Sequence, residues 1–137
     1  MGFPDLELKI RMTLVAGPDW RVPVPVRLHY KNTDPYAVQF IFDVTPDDVV
    51  RWRFARELLD QGLTAPAGLG DVKITPIGPL HNRCLSIELE SPHGYALLEG
   101  PLASVKAWLA KTFEVVPAGR ESEAVDIDSF LDELLNH

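Results

Sequence analysis

Cysteine is almost missing from this chain of 137 residues: Cys84 stands alone. An internal disulfide is therefore impossible, and no set of thiolates can hold a metal. A lone cysteine in such a chain is expected to be a small buried residue rather than a reactive thiol. Long apolar runs are missing too. No stretch approaches the roughly 18 apolar residues that a membrane span requires, and no basic-then-apolar leader precedes a small-residue cleavage site. A soluble, cytoplasmic protein is expected. Positive charge is scarce, with 13 Lys and Arg against 20 Asp and Glu and a net charge of −7. Binding to a phosphate backbone needs concentrated cations, so a general nucleic-acid binder is disfavoured. The imbalance is steepest from Glu121 onward, where ESEAVDIDSFLDELLNH contains no basic side chain other than its terminal His137. Such a segment reads as a solvated acidic helix face or a docking tail.

Assembled chemistry is equally sparse. The histidines, His29, His81, His93 and His137, show no metal-ligand spacing with one another, with cysteine or with carboxylates. His93 lies close in sequence to Ser91, Glu88 and Glu90, but a catalytic triad is defined in space and not by sequence proximity. Asp126 and Asp128 do not read as paired catalytic carboxylates. Gly68-x-Gly70 lacks the third glycine, the Lys-Ser/Thr pair and the following helix of a phosphate loop. No catalytic, metal or cofactor site is expected.

What the chain does have is alternation. It is long enough for one domain, residues 1–137, with 46% hydrophobic and 24% charged residues. Leu6, Leu8, Ile10, Met12 and Leu14 alternate with polar residues, as a half-buried strand requires. Val22, Val24, Val26, Leu28 and Tyr30 repeat the pattern after the AGPDW turn. Pro23 and Pro25 on the opposite face predict an edge strand, since proline has no amide to give a neighbour. KNTDP makes a turn, and YAVQFIFDV a third strand with Tyr36, Val38, Phe40 and Phe42 in register. In VVRWRFARELL, period two places Val50, Trp52 and Phe54 opposite Val49, Arg51 and Arg53. A strand to about Phe54 and a short helix through Leu59 are predicted, with core aromatics behind solvated arginines rather than a base-stacking platform. Further strands are predicted over Asp71–Thr75, Arg83–Glu90 and Tyr95–Glu99, the last two joined by the Ser91–Gly94 hairpin. Pro101 opens a helix with Leu102, Val105, Leu109 and Phe113 on one face, flanked by Trp108. VPAGRESEA is a polar break. Val125 to Leu135 reads as a final helix capped by Asp126 or Asp128, with Phe130, Leu131, Leu134 and Leu135 as its apolar side.

Several of these segments, in this order, resemble the SsgA-like family of actinomycete sporulation and cell-division proteins: VPVPVRLHY, DPYAV, FARELLDQGL followed by Pro66, Gly68, Gly70, Asp71 and Val72, SPHGYALLEGP, and VPAGRESEAVDID. The resemblance runs from about Leu6 to Leu135 and is strongest to the SsgB type. It implies an α+β fold of two packed antiparallel β-sheets with C-terminal helices, whirly-like and oligomeric as a homotrimer. It also implies a non-enzymatic adaptor without cofactors, which is recruited to the septum and recruits FtsZ, with an SsgA-type protein as a second partner. A single-stranded nucleic-acid-binding module is the alternative that a whirly-like fold suggests. The family carries over no catalytic residue. The residues expected to contact a protein partner are Asp34, Pro35 and Tyr36 in the matched loop, together with Arg51, Arg53 and Arg56, which either present such a surface or pair with the abundant carboxylates.

Overall fold

Two long strands with one wet and one dry face begin the fold: β1 (Leu6–Gly17) and β2 (Trp20–Tyr30). They are followed by β3 (Ala37–Asp43), β4 (Val49–Ala55), the short helix α1 (Arg56–Gly62), β5 (Val72–Ile77), β6 (Cys84–Ser91), β7 (Gly94–Pro101), α2 (Leu102–Val115) and one turn of helix, α3 (Glu121–Ala124). This computed structural model describes residues 5–124 together with residues 134 and 135. The predicted final helix over Val125 to Leu135 falls outside the described residues except for Leu134 and Leu135, whose side chains are exposed.

The expected pair of sheets is one seven-stranded antiparallel sheet of order β4-β3-β2-β1-β7-β6-β5. β1 joins its halves. It pairs with β2 from Leu6 opposite Tyr30 to Leu14 opposite Val22, and near its end with β7 through Thr13 opposite Glu99 and Leu14 opposite Leu98. The sheet curls about this shared strand, so the inner faces of both halves supply one core. Met12, Leu28, Val38, Phe40 and Phe54 belong to it from one half, Ile74, Leu85 and Ile87 from the other, and Val105, Trp108 and Leu109 from α2. Alternation along β1, β2 and β6 sets these inward faces as predicted. Phe40 and Phe54 meet with tilted rings 5.2 Å apart, a favourable aromatic geometry.

Other expectations are corrected. β2 is an interior strand, but β3 pairs with it only between Val26 and His29. Pro23 and Pro25 lie beyond that stretch, so their missing amides cost no ladder bond. Tyr36 precedes β3 instead of starting it. Trp108 belongs to the buried face of α2 and not to its flank, and Thr112 is buried on that face as well. The polar break VPAGRESEA ends in α3, the first turn of the acidic segment. Cys84 is exposed, because the parity that points Leu85 and Ile87 inward turns its neighbour out. Gly68 has φ +100° and a Cβ there would collide with the Val72 carbonyl, so the glycine-rich stretch is a turn into β5.

The register of β4 is directly testable. Phe54→Ala should cost about 3–5 kcal/mol, as a buried aromatic truncation does. Arg51→Ala, at an exposed position, should stay within about 0.5 kcal/mol. Urea unfolding of the two variants measures both; equal losses would overturn this assignment of the β4 faces.

Candidate functional site

The Asp34–Tyr36 loop is held by four separate attachments. Its own turn closes through the Asp34 amide donating to the Lys31 carbonyl at 3.0 Å. The Asp34 carboxylate then accepts from Arg53 Nε at 2.7 Å and from its Nη2 at 2.8 Å, a bidentate pair that fixes orientation as well as distance. Pro35 is buried, and its carbonyl accepts from the Tyr30 hydroxyl at 2.9 Å. Tyr36 offers its carbonyl to the Arg56 amide at 2.8 Å. The Tyr36 ring remains 56% exposed, so a rigid loop presents one large amphipathic side chain.

Arg56 is not on the surface, contrary to the sequence expectation. It is 1% exposed. Its Nη1 donates to the carbonyls of Thr112 at 3.0 Å and Val116 at 2.8 Å, and its Nη2 to Glu121 Oε1 at 2.9 Å. The guanidinium lies 4.1 Å from the Phe113 ring centroid and 5.1 Å from that of Tyr30, within cation–π range. The acceptors explain the burial. The carbonyl end of a helix carries partial negative charge, the Thr112 carbonyl accepts from the Val116 amide at 2.9 Å and has a second lone pair to offer, and α2 has no basic residue in its last turn. Arg56 supplies that missing cation from another part of the chain. Strand alternation was the only pattern available for Arg51, Arg53 and Arg56. It stops at Ala55, where the helical period begins and carries the third arginine inward. The usable signal was the absence of a cation at the end of α2.

Asp34, Pro35, Tyr36, Arg53 and Arg56 are therefore one neighbourhood, while Arg51 stands apart on the outer face of β4. A hollow of about 410 Å³ opens beside the loop, lined by Tyr36, Arg56, Phe113 and Glu121 and by two carboxylates of α1, Glu57 and Asp60. At the opposite end of the curled sheet an apolar cleft of about 330 Å³ is lined by Val44, Val50, Trp52, Leu89, Tyr95 and Leu98. His93 and Ser91 border that cleft, but only the His93 amide bonds the serine, donating to its Oγ at 3.2 Å. Glu88 accepts from the Tyr95 hydroxyl at 2.8 Å, which raises the phenol pKa. The triad that the sequence allows to be drawn is not assembled. Among the described residues no three His, Cys, Asp or Glu side chains group as metal ligands. No described helix is long and apolar enough to cross a membrane. The arrangement suits recognition by a preformed surface.

The fold and surface define an α+β protein built on one curled antiparallel sheet, with helices packed against it and a braced loop exposed. Residues 24–121 match the family model described as Streptomyces sporulation and cell division protein, SsgA, and the chain belongs to that family. It is 44% identical over 132 residues to the sporulation-specific cell division protein SsgB of Thermobifida fusca, covering 96% of each chain. To the SsgB of Streptomyces coelicolor it is 38% identical over 127 residues, 93% of each. Among solved structures, the SsgA-like sporulation-specific cell division protein of Thermobifida fusca YX-ER1 superposes with a TM-score of 0.86 at 37% identity, covering 97% of both chains. A structure from work relating SsgB mutations to longitudinal cell division during Streptomyces coelicolor sporulation gives a TM-score of 0.83 at 36% identity, covering 88% of this chain and 95% of the other.

Two consequences concern Arg56. Arg56→Met should cost about 3–5 kcal/mol, because it leaves buried acceptors and a carboxylate without their partner. Arg56→Lys should rescue little, since a point charge cannot reproduce the fork. The Glu121 carboxyl is held below its ordinary 4.5 by backbone hydrogen bonding first and by Arg56 next. A depressed carboxylate pKa gives stability that is present above the unfolded value and lost as pH falls through the folded one. Resistance to thermal unfolding should therefore fall progressively below about pH 4.5, and Glu121→Gln should flatten that acid dependence while lowering stability at pH 7.

Proposed function

We propose that this protein is a non-enzymatic adaptor of sporulation-specific cell division, which positions the septum by recruiting the tubulin-like protein FtsZ, directly or through an SsgA-type partner. The observation that carries this reading is the likeness, over nine-tenths or more of the chain, to proteins named as sporulation-specific cell division protein SsgB. The braced Asp34–Tyr36 loop supports it: recognition residues are commonly carried on loops that a rigid scaffold positions. In this reading the protein works in the cytoplasm as a homo-oligomer, a trimer of whirly-like arrangement. It reaches the septum through protein contacts, so its placement there is reversible.

The single-stranded nucleic-acid alternative needs a stacking surface beside cations. On β4 the two are separated: Phe54 is buried and Trp52 half-buried on one face, while Arg51 and Arg53 lie on the other. The net charge of −7 opposes it as well.

The adaptor reading predicts that the purified protein retains FtsZ in a pull-down and leaves single-stranded DNA unbound near physiological salt. A fluorescent fusion in sporulating hyphae should appear at future septa together with FtsZ. Tyr36→Ala, which removes an exposed ring, should keep the circular dichroism spectrum and reduce FtsZ retention. Absence of retention by the unaltered protein, with or without an SsgA-type partner, would end this reading; full retention by Tyr36→Ala would remove only the loop from it.

A further inference from the structure

The sheet has two edges, and they differ. β5 is bridged at Ile74 by the backbone of Ala67 and contains Pro76, so that edge is partly covered and partly unable to donate. β4 has β3 on one side, and among the described residues no strand on the other. It contains no proline. Alternate amides and carbonyls of any strand point to either side, so this edge offers unpaired ladder groups to solvent. An uncovered edge of this length is a template for another strand.

Its side chains define which strand would fit. On the outer face, Lys9, Arg27, Ile41 and Arg51 lie in one cross-strand row over four strands. Arg27 is engaged by Asp43, whose Oδ1 lies 3.0 Å from Nη2, and Arg53 is shared with Asp34 yet 61% exposed. Lys9 and Arg51 pair with no carboxylate among the described residues. A basic stripe thus runs up to the open edge of an acidic protein. On the inner face of the same edge, Val50 is 43% exposed and with half-buried Trp52 borders the apolar cleft. A strand laid along β4 would place every second side chain beside Arg51 and Arg53, and the others beside Val50 and Trp52.

We propose that the free edge of β4 binds, by strand addition, an extended segment of a partner protein in which acidic and apolar residues alternate. Main-chain bonds to the edge supply attachment and the two faces supply selection. Arginines on an edge also discourage indiscriminate pairing; here they admit a strand whose carboxylates fall in register. The identity of the partner rests on the adaptor reading, whereas the chemistry of the edge does not, and a peptide tests the edge without FtsZ.

The probe is the capped peptide DVDIDVD, titrated into the full chain and followed by backbone amide NMR shifts. The controls are DDDDVVI, of the same composition, and KVKIKVK. Saturable shifts confined to β4 and its neighbours are expected with DVDIDVD alone, and the affinity should fall as salt rises. Arg51→Glu, an exposed change far from the Arg56 cluster, should leave the spectrum otherwise native and weaken binding about fivefold or more. Equal binding of DVDIDVD and DDDDVVI, shifts centred on α1 or α2, or no shift at millimolar peptide would overturn the proposal. Protection of the β4 edge amides from hydrogen exchange in the protein alone, lost on dilution, would overturn it in favour of a second copy of this chain. FtsZ retention that survives Arg51→Glu unchanged, while the peptide still binds the edge, would separate this site from the adaptor function and assign it another partner.

Discussion

A buried guanidinium ties this molecule together. Arg56 stands where β4 becomes α1, and its donors reach the carbonyl end of α2 and the first residue of α3. Its backbone amide fastens the loop before β3. Burying a charge is costly unless its donors are used and opposite charge is near. Here two helix-end carbonyls, one carboxylate and two aromatic faces meet those conditions. The interaction is therefore a constraint in both directions: α2 ends where the guanidinium can reach it, and the guanidinium stays inside only while α2 and Glu121 are in place. Local secondary structure alone would not bring residues this far apart in sequence to one point.

The second organising feature is the division of β1 between two partners. Its pairing with β2 runs nearly the full length, whereas β7 meets it at Thr13 and Leu14. That short join lets one sheet curl enough for its halves to face each other across a single core. α2 packs against β1 and β6, and α1 lies on β5 so closely that a Cβ on Gly62 would collide with Ile74. The cleft bordered by Val44, Val50 and Trp52 lies at the far end of the strands from Arg56. The protein thus has a braced end that carries the Tyr36 loop and an apolar end beside a strand edge that no strand covers among the described residues. The two ends are far enough apart that a contact at one need not deform the other, as the proposed adaptor role requires.

Strand number, inward faces and the switch from strand to helix near residue 55 were legible in the sequence, because side chains alternate across a strand and the core accepts only one of its faces. Phe40, Phe54, Leu85 and Ile87 could be placed from that rule alone. The ordered motifs also indicated the family. Within the candidate site, the outward direction of Arg51 and Arg53 followed from period two, and the structure bears it out; the same period put Tyr36 in register with Val38 and Phe40, whereas it lies in the loop before β3 and is exposed.

Sheet closure and the fate of Arg56 were decided only in three dimensions. Periodicity is local: it states which face is dry, and is silent on whether two ladders share a strand, as they do through β1. Pro23 and Pro25 signalled an edge correctly for the few residues where β3 is missing, and misled for the strand as a whole. Arg56 looked like a third surface arginine because its acceptors lie 56 to 65 positions further along the chain. Hydrogen-bond partners supplied by a distant helix end leave no mark on the spacing around the residue that needs them. The sequence by itself determined the elements, their buried faces and the family. The tertiary structure decided how the sheet joins and which cation it buries, since both depend on contacts between segments that local pattern cannot relate.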